Sequence, residues 1–294
     1  MKKLIELGCL LITMLVTTSA FAAFTDLNYN PKKGFLHVDA RYNYNYSTYD
    51  FETNALEKYY TITSTYFNTN FAYGFSESFR LSLGLNYKIG GETESEITTY
   101  AISRSPVVTT TKDSNKGILD PVLMGSFTLM EEDKTVVDLN LGMQVSIGKK
   151  KVDNALRGGH VAKSSLDVST KKGNWEFWGA LGIDYNLKSE QEASDGTTST
   201  AEKSSIDYSL TGFTQHHMTS RSFMKYGLLY KVFGKKTSSG TIHEYGPALG
   251  YKYAFTKTFS ADLEYNFQVN DSTENNGYTS TQVHRGFLGI DMTF

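Results

Sequence analysis

The chain has one cysteine, Cys9, and two tryptophans, set against 20 tyrosines and 18 phenylalanines. Cys9 lies in an apolar N-terminal stretch. Without that stretch the remainder has no cysteine and crosses an oxidising compartment with nothing to mispair. Beyond it there is no apolar run of the roughly 20 residues that a membrane helix needs. The net charge is −2 and no basic stripe is present, which excludes a nucleic-acid partner. No phosphate-cradling glycine motif and no zinc-ligand spacing occur, so neither a cofactor nor a metal is expected. Hydrophobic residues make up 39%, little for 294 residues, while aromatics reach 14%. A soluble globule draws more heavily on Leu, Ile and Val. A β-barrel with a polar lumen and aromatic girdles uses this mixture.

The first residues read MKKLIELGCLLITMLVTTSAFAAF. Lys2 and Lys3 give a basic start, Leu4 to Val16 an apolar core interrupted by Glu6, and Ala20-Phe21-Ala22 an A-x-A cleavage site. This is the pattern of a secretory signal peptide covering 1–22, which leaves 23–294 as a single unit. The apolar run is too short for a transmembrane anchor. Glu6 stands where a lipoprotein signal would carry an apolar residue.

Period-2 alternation dominates the rest. In Phe35–Ser47, Leu36, Val38, Ala40, Tyr42, Tyr44 and Tyr46 fall on one face, with His37, Asp39, Arg41, Asn43 and Asn45 on the other. Further strands are expected at Lys58–Tyr73, Phe79–Ile89, Gly117–Met130, Thr135–Ile147, His160–Thr170, Trp175–Leu187, Ser204–Gln215, Phe223–Phe233, Glu244–Tyr253, Phe259–Val269 and Val283–Phe294. Twelve strands of this length suit a tilted crossing of a bilayer. Weak patterning in the second, sixth and eighth leaves ten and fourteen open. Connections alternate between short turns, such as Gly74–Ser78 and Lys171–Asn174, and longer polar loops, such as Gly90–Lys116 and Lys188–Lys203. With both termini on one side, every short turn falls on that side, the periplasm in an outer-membrane barrel, and every long loop outside the cell. Phe79, Trp175, Phe259 and Phe294 then sit at one rim, and Tyr46, Tyr87 and Tyr185 at the other. A secreted β-sandwich would also alternate, but with shorter strands and more evenly spaced turns. The expected fold is therefore all-β: a transmembrane antiparallel up-and-down barrel with both termini periplasmic.

With the apolar face turned to lipid, the other face lines a lumen. It carries Asp39, Asp120, Asp138, Asp167, Glu176, Asp184, Asp207, Asp262, Glu264 and Asp291, against Arg41, Arg80, Lys88, Lys163, Lys225, Lys231, Lys252 and Arg285. The signs nearly balance. Twelve strands lie between the filled eight-stranded barrel and the open channel of sixteen or more. The charges either pair across a narrow watery tube or form a ladder along a substrate path. No enzyme is expected. His216 and His217 fall in a short turn on opposite faces and do not converge on a metal. His284 faces lipid with no serine partner. Lys149, Lys150 and Lys151 fall in a long loop near the extracellular rim, within reach of lipopolysaccharide phosphates.

Two resemblances follow from these residues. The last stretch, VHRGFLGIDMTF, places Leu288, Ile290, Met292 and Phe294 on one face and resembles the C-terminal strand of bacterial outer-membrane barrels. This implies location in the cell outer membrane among its lipids, and a role for Phe294 in the signal read by the barrel assembly machinery. Gly117-Ile118-Leu119-Asp120-Pro121 is similar to the G-x-G-D-P strand start of the MetA-pathway phenol-degradation family, presumed outer-membrane transporters, although Leu119 replaces the second glycine. Tyr73-Gly74-Phe75-Ser76-Glu77 resembles that family's Y-G-x-[ST]-[DE] turn, and Gly173-Asn174-Trp175 before a strand ending in Tyr185 is reminiscent of it. The expectation is a channel or transporter passing small solutes, hydrophobic or aromatic ones among them, through a narrow polar lumen. The alternative is a non-conducting barrel acting through its extracellular loops.

Overall fold

A computed structural model describes residues 32–294 except 54–55, 100–102, 114–115, 148–149, 152–158, 188, 193–197, 203, 235–241 and 275–276. The segment read as a signal peptide and Lys149 lie outside the described residues. Twelve long strands run in chain order: β1 (Leu36–Thr53), β2 (Leu56–Gly74), β3 (Phe79–Thr99), β4 (Val122–Glu132), β5 (Thr135–Gln144), β6 (Val161–Lys172), β7 (Trp175–Asn186), β8 (Ser205–His217), β9 (Ser222–Phe233), β10 (Ile242–Ala254), β11 (Phe259–Glu274) and β12 (Gly277–Thr293). Each pairs antiparallel with the next, and β12 returns to β1 from His37↔Thr293 to Glu52↔Tyr278. The terminal residue completes the seam: Leu36 N–H donates to the Phe294 carbonyl at 3.0 Å, and Phe294 N–H to the Leu36 carbonyl at 2.8 Å. The sheet closes on itself and no long barrel strand is left as an edge.

Burial is inverted relative to a soluble protein. Leu141, Leu181, Leu228, Leu263 and Leu288 are exposed on the outer surface, Leu228 to 70%, while Asp138 is 1% and Glu176 2% exposed inside. A continuous apolar exterior of this kind is stable only against hydrocarbon, and a closed barrel is the one β-form that satisfies its backbone there. The protein is thus a barrel of the outer-membrane type, with the outer membrane as its solvent. Short turns join strands at the end where both termini lie, hereafter the terminal end. Gly173 takes φ 62° in the Lys172–Trp175 turn, a backbone region that glycine enters without penalty.

The far end differs from the expectation in three places. The stretches read as loops at Thr48–Glu57, Gly90–Lys116 and Asn270–Gln282 are largely strand. β1 and β2 stay paired to Thr53↔Leu56, β2 and β3 to Leu56↔Thr99, and β11 and β12 to Glu274↔Gly277. The segment Ser103–Asp113 pairs back onto β3. One arc of the wall therefore rises well beyond the rest, with strands of 16 to 21 residues against 10 to 13 elsewhere. These extensions are rich in Thr and Tyr, which favour extended backbone. The apolar alternation that marks a membrane strand is missing from their sequence.

The fourth expected strand, Gly117–Met130, is likewise interrupted. Gly117–Ile118 pairs with β3, and β4 begins only at Val122. Pro121 has no N–H to give the ladder, so the break falls beside it. The fifth ends at Gln144 rather than Ile147. Lys150 and Lys151 run parallel to Gln191 and Glu192 in a small separate sheet.

Candidate functional site

The inward rows share a pattern. In β3 it reads Arg80, Ser82, Gly84, Asn86, Lys88; in β7, Glu176, Trp178, Ala180, Gly182, Asp184; in β9, Lys225, Gly227, Leu229, Lys231; in β10, Lys252, Gly250, Ala248, Gly246, Glu244. Charges stand near both ends of the lumen, and between them the rows are uncharged, small side chains such as Ser82, Ala180, Gly227 and Ala248 alternating with a few larger ones. A cavity of about 500 Å³ lies inside the barrel, lined by residues from both sides, including Asp39, Arg41, Arg80, Asp167, Lys225 and Lys252.

At the terminal end the charges are tightly paired. Arg80 donates to Asp138 at 2.6 Å and to Thr128 at 3.0 Å, and Thr128 donates to the same carboxylate at 2.7 Å. Arg41 Nε sits 3.0 Å from each oxygen of Asp39. Lys252 meets Asp291 at 3.0 Å, and Ser260 donates to that carboxylate at 3.2 Å. His37, which lines the cavity, bonds Thr293 at 3.1 Å and ties β1 to β12 there. Glu176 is buried beside His217, 3.8 Å away, and His217 packs edge-on against Phe223, which is fully buried.

The far end holds a second set. Lys163 pairs with Asp184 at 2.7 Å, and Arg285 with Glu244 at 3.1 Å while also donating to Gln268. Lys231 lies over the Phe233 ring at 4.5 Å. Lys88 is buried in β3. Two carboxylates hold backbone here: Asp120 accepts from Ile147 N–H at 3.1 Å and Asp207 from Gly234 N–H at 2.9 Å. Asp120, next to Pro121, thus fastens the continuation of β5 where its own strand is broken. Glu264 and Asp262 are buried on β11 behind Lys225 and Arg41.

Between the charged ends lies a patch that the sequence reading missed. Trp178 and Phe213 point inward with ring centroids 5.8 Å apart, and Trp178, Ala180 and Met124 line the cavity. A Cβ at Gly227 would run into the Phe213 ring, so glycine is what seats that ring against the wall. Parity carried the signal: Trp178 is two residues from Glu176 and six from Asp184, all on one face. His216 and His217 do lie on opposite faces, the former stacked on Trp175 at 4.4 Å. His284 sits on the outer surface, bonded by Tyr265 at 2.6 Å and flanked by Tyr46 and Phe267. Among the described residues no cluster of His, Cys, Asp and Glu could hold a metal.

No family model matches the chain, and no curated protein matches it. Solved structures do. The COG4313 outer membrane channel from Pseudomonas putida F1 superposes with a TM-score of 0.61 at 11% identity, covering 95% of this chain and 100% of that one. The transport unit of the autotransporter AIDA-I from Escherichia coli gives 0.52 at 14% identity, covering 98% of each. At such identities the likeness establishes a shared barrel fold.

Proposed function

We propose that this barrel is an outer-membrane channel for small solutes with an apolar or aromatic body. The carrying observation is the cavity of about 500 Å³ inside the barrel, whose polar and charged wall is interrupted by Trp178, Ala180 and Met124. A wall that only filled space would not need an indole among carboxylates and lysines. A wall that handles a solute with an apolar face does, since such sites combine apolar contact with a few placed polar groups. The resemblance to presumed phenol-degradation transporters, carried by Asp120-Pro121 and the Tyr73–Glu77 turn, points the same way. The COG4313 protein is called a channel, which fits this reading.

Single-channel recording of the refolded mature chain in a planar bilayer tests the proposal. Steady current, reduced by a small aromatic solute and less reduced after Trp178→Ala, is the expected result. A barrel that inserts and stays silent in all salts would overturn it. The raised arc of β11, β12 and β1 to β3 would then favour a surface-binding role.

A further inference from the structure

The two kinds of charge inside the barrel are not equally presented to the cavity. Arg41 and Lys225 line it, whereas Asp262 and Glu264, the acids nearest them on β11, lie outside the lining. Asp262 is 3% exposed and Glu264 9%. The separations matter. Arg41 Nη1 is 3.8 Å from Asp262, and Lys225 Nζ is 3.9 Å from Glu264. These distances balance charge through space and are too long for hydrogen bonds. Among the described residues, Lys225 has no other ion pair and no hydrogen-bond acceptor. Cavity-lining carboxylates are better matched: Asp39 takes Arg41 Nε, Asp291 takes Lys252 and Ser260, and Asp167 takes Ser165 at 2.7 Å. Of the residues lining the cavity, those with a buried polar side-chain atom lacking a hydrogen-bond partner are Arg80 and Trp178, through Nε and Nε1, both donors, whereas the two Asp262 oxygens without one lie outside the lining; the unmet capacity of the lining is donor capacity. Enclosed N–H donors without acceptors are costly, and a solute that brings acceptor oxygens relieves that cost.

We infer that the cavity binds a small organic carboxylate, its oxygens accepting from Lys225 Nζ and the Nη edge of Arg41, its body lying on the Trp178, Ala180 and Met124 sector. This rests on the channel reading for its purpose, though not for its geometry. Arg41 supplies a planar fork suited to carboxylate oxygens, and Lys225 a compact charge beside it. A volume of about 500 Å³ is the size of a pocket for one small molecule.

Trp175 is on the outer surface, so Trp175→Phe leaves Trp178 as the only tryptophan of the mature chain, a reporter inside the cavity. Its fluorescence in the refolded barrel is titrated with benzoate and with benzylamine, two probes of one ring and opposite charge, at constant ionic strength. Saturable binding of benzoate about tenfold tighter than benzylamine is expected, the worth of one charge-assisted hydrogen bond. Lys225→Met should abolish the preference, Lys225→Arg restore it, and Lys231→Met, at the far end, leave it intact. Equal or tighter binding of benzylamine, or no saturable change with benzoate, would overturn the inference. The comparison of benzoate with benzylamine in the Trp175→Phe barrel decides even where Lys225→Met does not fold. Binding without current in the bilayer would sink the channel and spare the site, and current without benzoate binding would do the reverse.

Discussion

Arg80 shows what a single side chain does in this lumen. It is 6% exposed, and its guanidinium is shared between Asp138 and Thr128, which also bond each other. Parity alone put Arg80 and Asp138 on the inner face, but not together, because 58 residues and all of β4 separate them in the chain. Removing Arg80 takes the cationic partner from a buried carboxylate, and this outweighs the lost contact. Arg80→Met should cost about 3–5 kcal/mol, while Arg80→Met with Asp138→Leu should recover most of it. Urea unfolding of the barrel in lipid vesicles measures both. A double variant no more stable than the single would show that the pair itself, rather than the stranded carboxylate, carries the stability. Asp120 and Asp207 make a related point. Both were legible as inward acids, yet each accepts a backbone N–H from a neighbouring segment, a role that only the folded geometry assigns.

At the scale of the strand, alternation is the governing rule, and lipid is what enforces it. In β5, Leu141 is 48% exposed on the outside, while Asn140, its chain neighbour, is buried and donates to Ser165 at 3.0 Å. Leu141→Arg should destabilise the barrel by about 2–4 kcal/mol near the membrane midplane, with Asn140→Arg much milder because its side chain enters the polar lumen. Equal losses on urea titration would contradict the register. The same rule explains where the strand expectation stopped short. Past the hydrocarbon neither face of β1, β2, β3, β11 or β12 is required to be apolar, so the pairing of Leu56 with Thr99 or Glu274 with Gly277 leaves no period in the sequence. Cross-strand hydrogen bonds and Thr- and Tyr-rich composition carry the strands onward.

For the molecule as a whole, closure is the decisive event. An open twelve-stranded sheet in lipid would leave the backbone groups of β1 and β12 unsatisfied, each at a cost of several kcal/mol. The β1–β12 ladder removes that cost, and Phe294 completes it through two backbone hydrogen bonds to Leu36. Deleting Phe294 should therefore lower the folded fraction on refolding into detergent more than Phe294→Ala, which keeps both bonds. Heat-modifiable migration on a gel reports that fraction. The reverse order would mean that the aromatic ring, and not the backbone seam, is what the terminal residue supplies.

Class and the side on which each residue of a membrane strand lies were determined by the sequence alone, because lipid on one face and water on the other impose a period of two that local composition must obey; the strand number, read as twelve with ten and fourteen open, was settled by the closed ladder of the fold. The charged residues of the lumen were legible for the same reason, and Trp178 was legible in principle. Which charges meet, which carboxylates clasp backbone instead, how far the raised arc extends, and that Arg41 and Lys225 face a cavity while Asp262 and Glu264 stand behind them were decided only by tertiary structure. Those relations join residues on different strands across a closed circumference, and no local pattern in the chain encodes the angle at which a barrel closes.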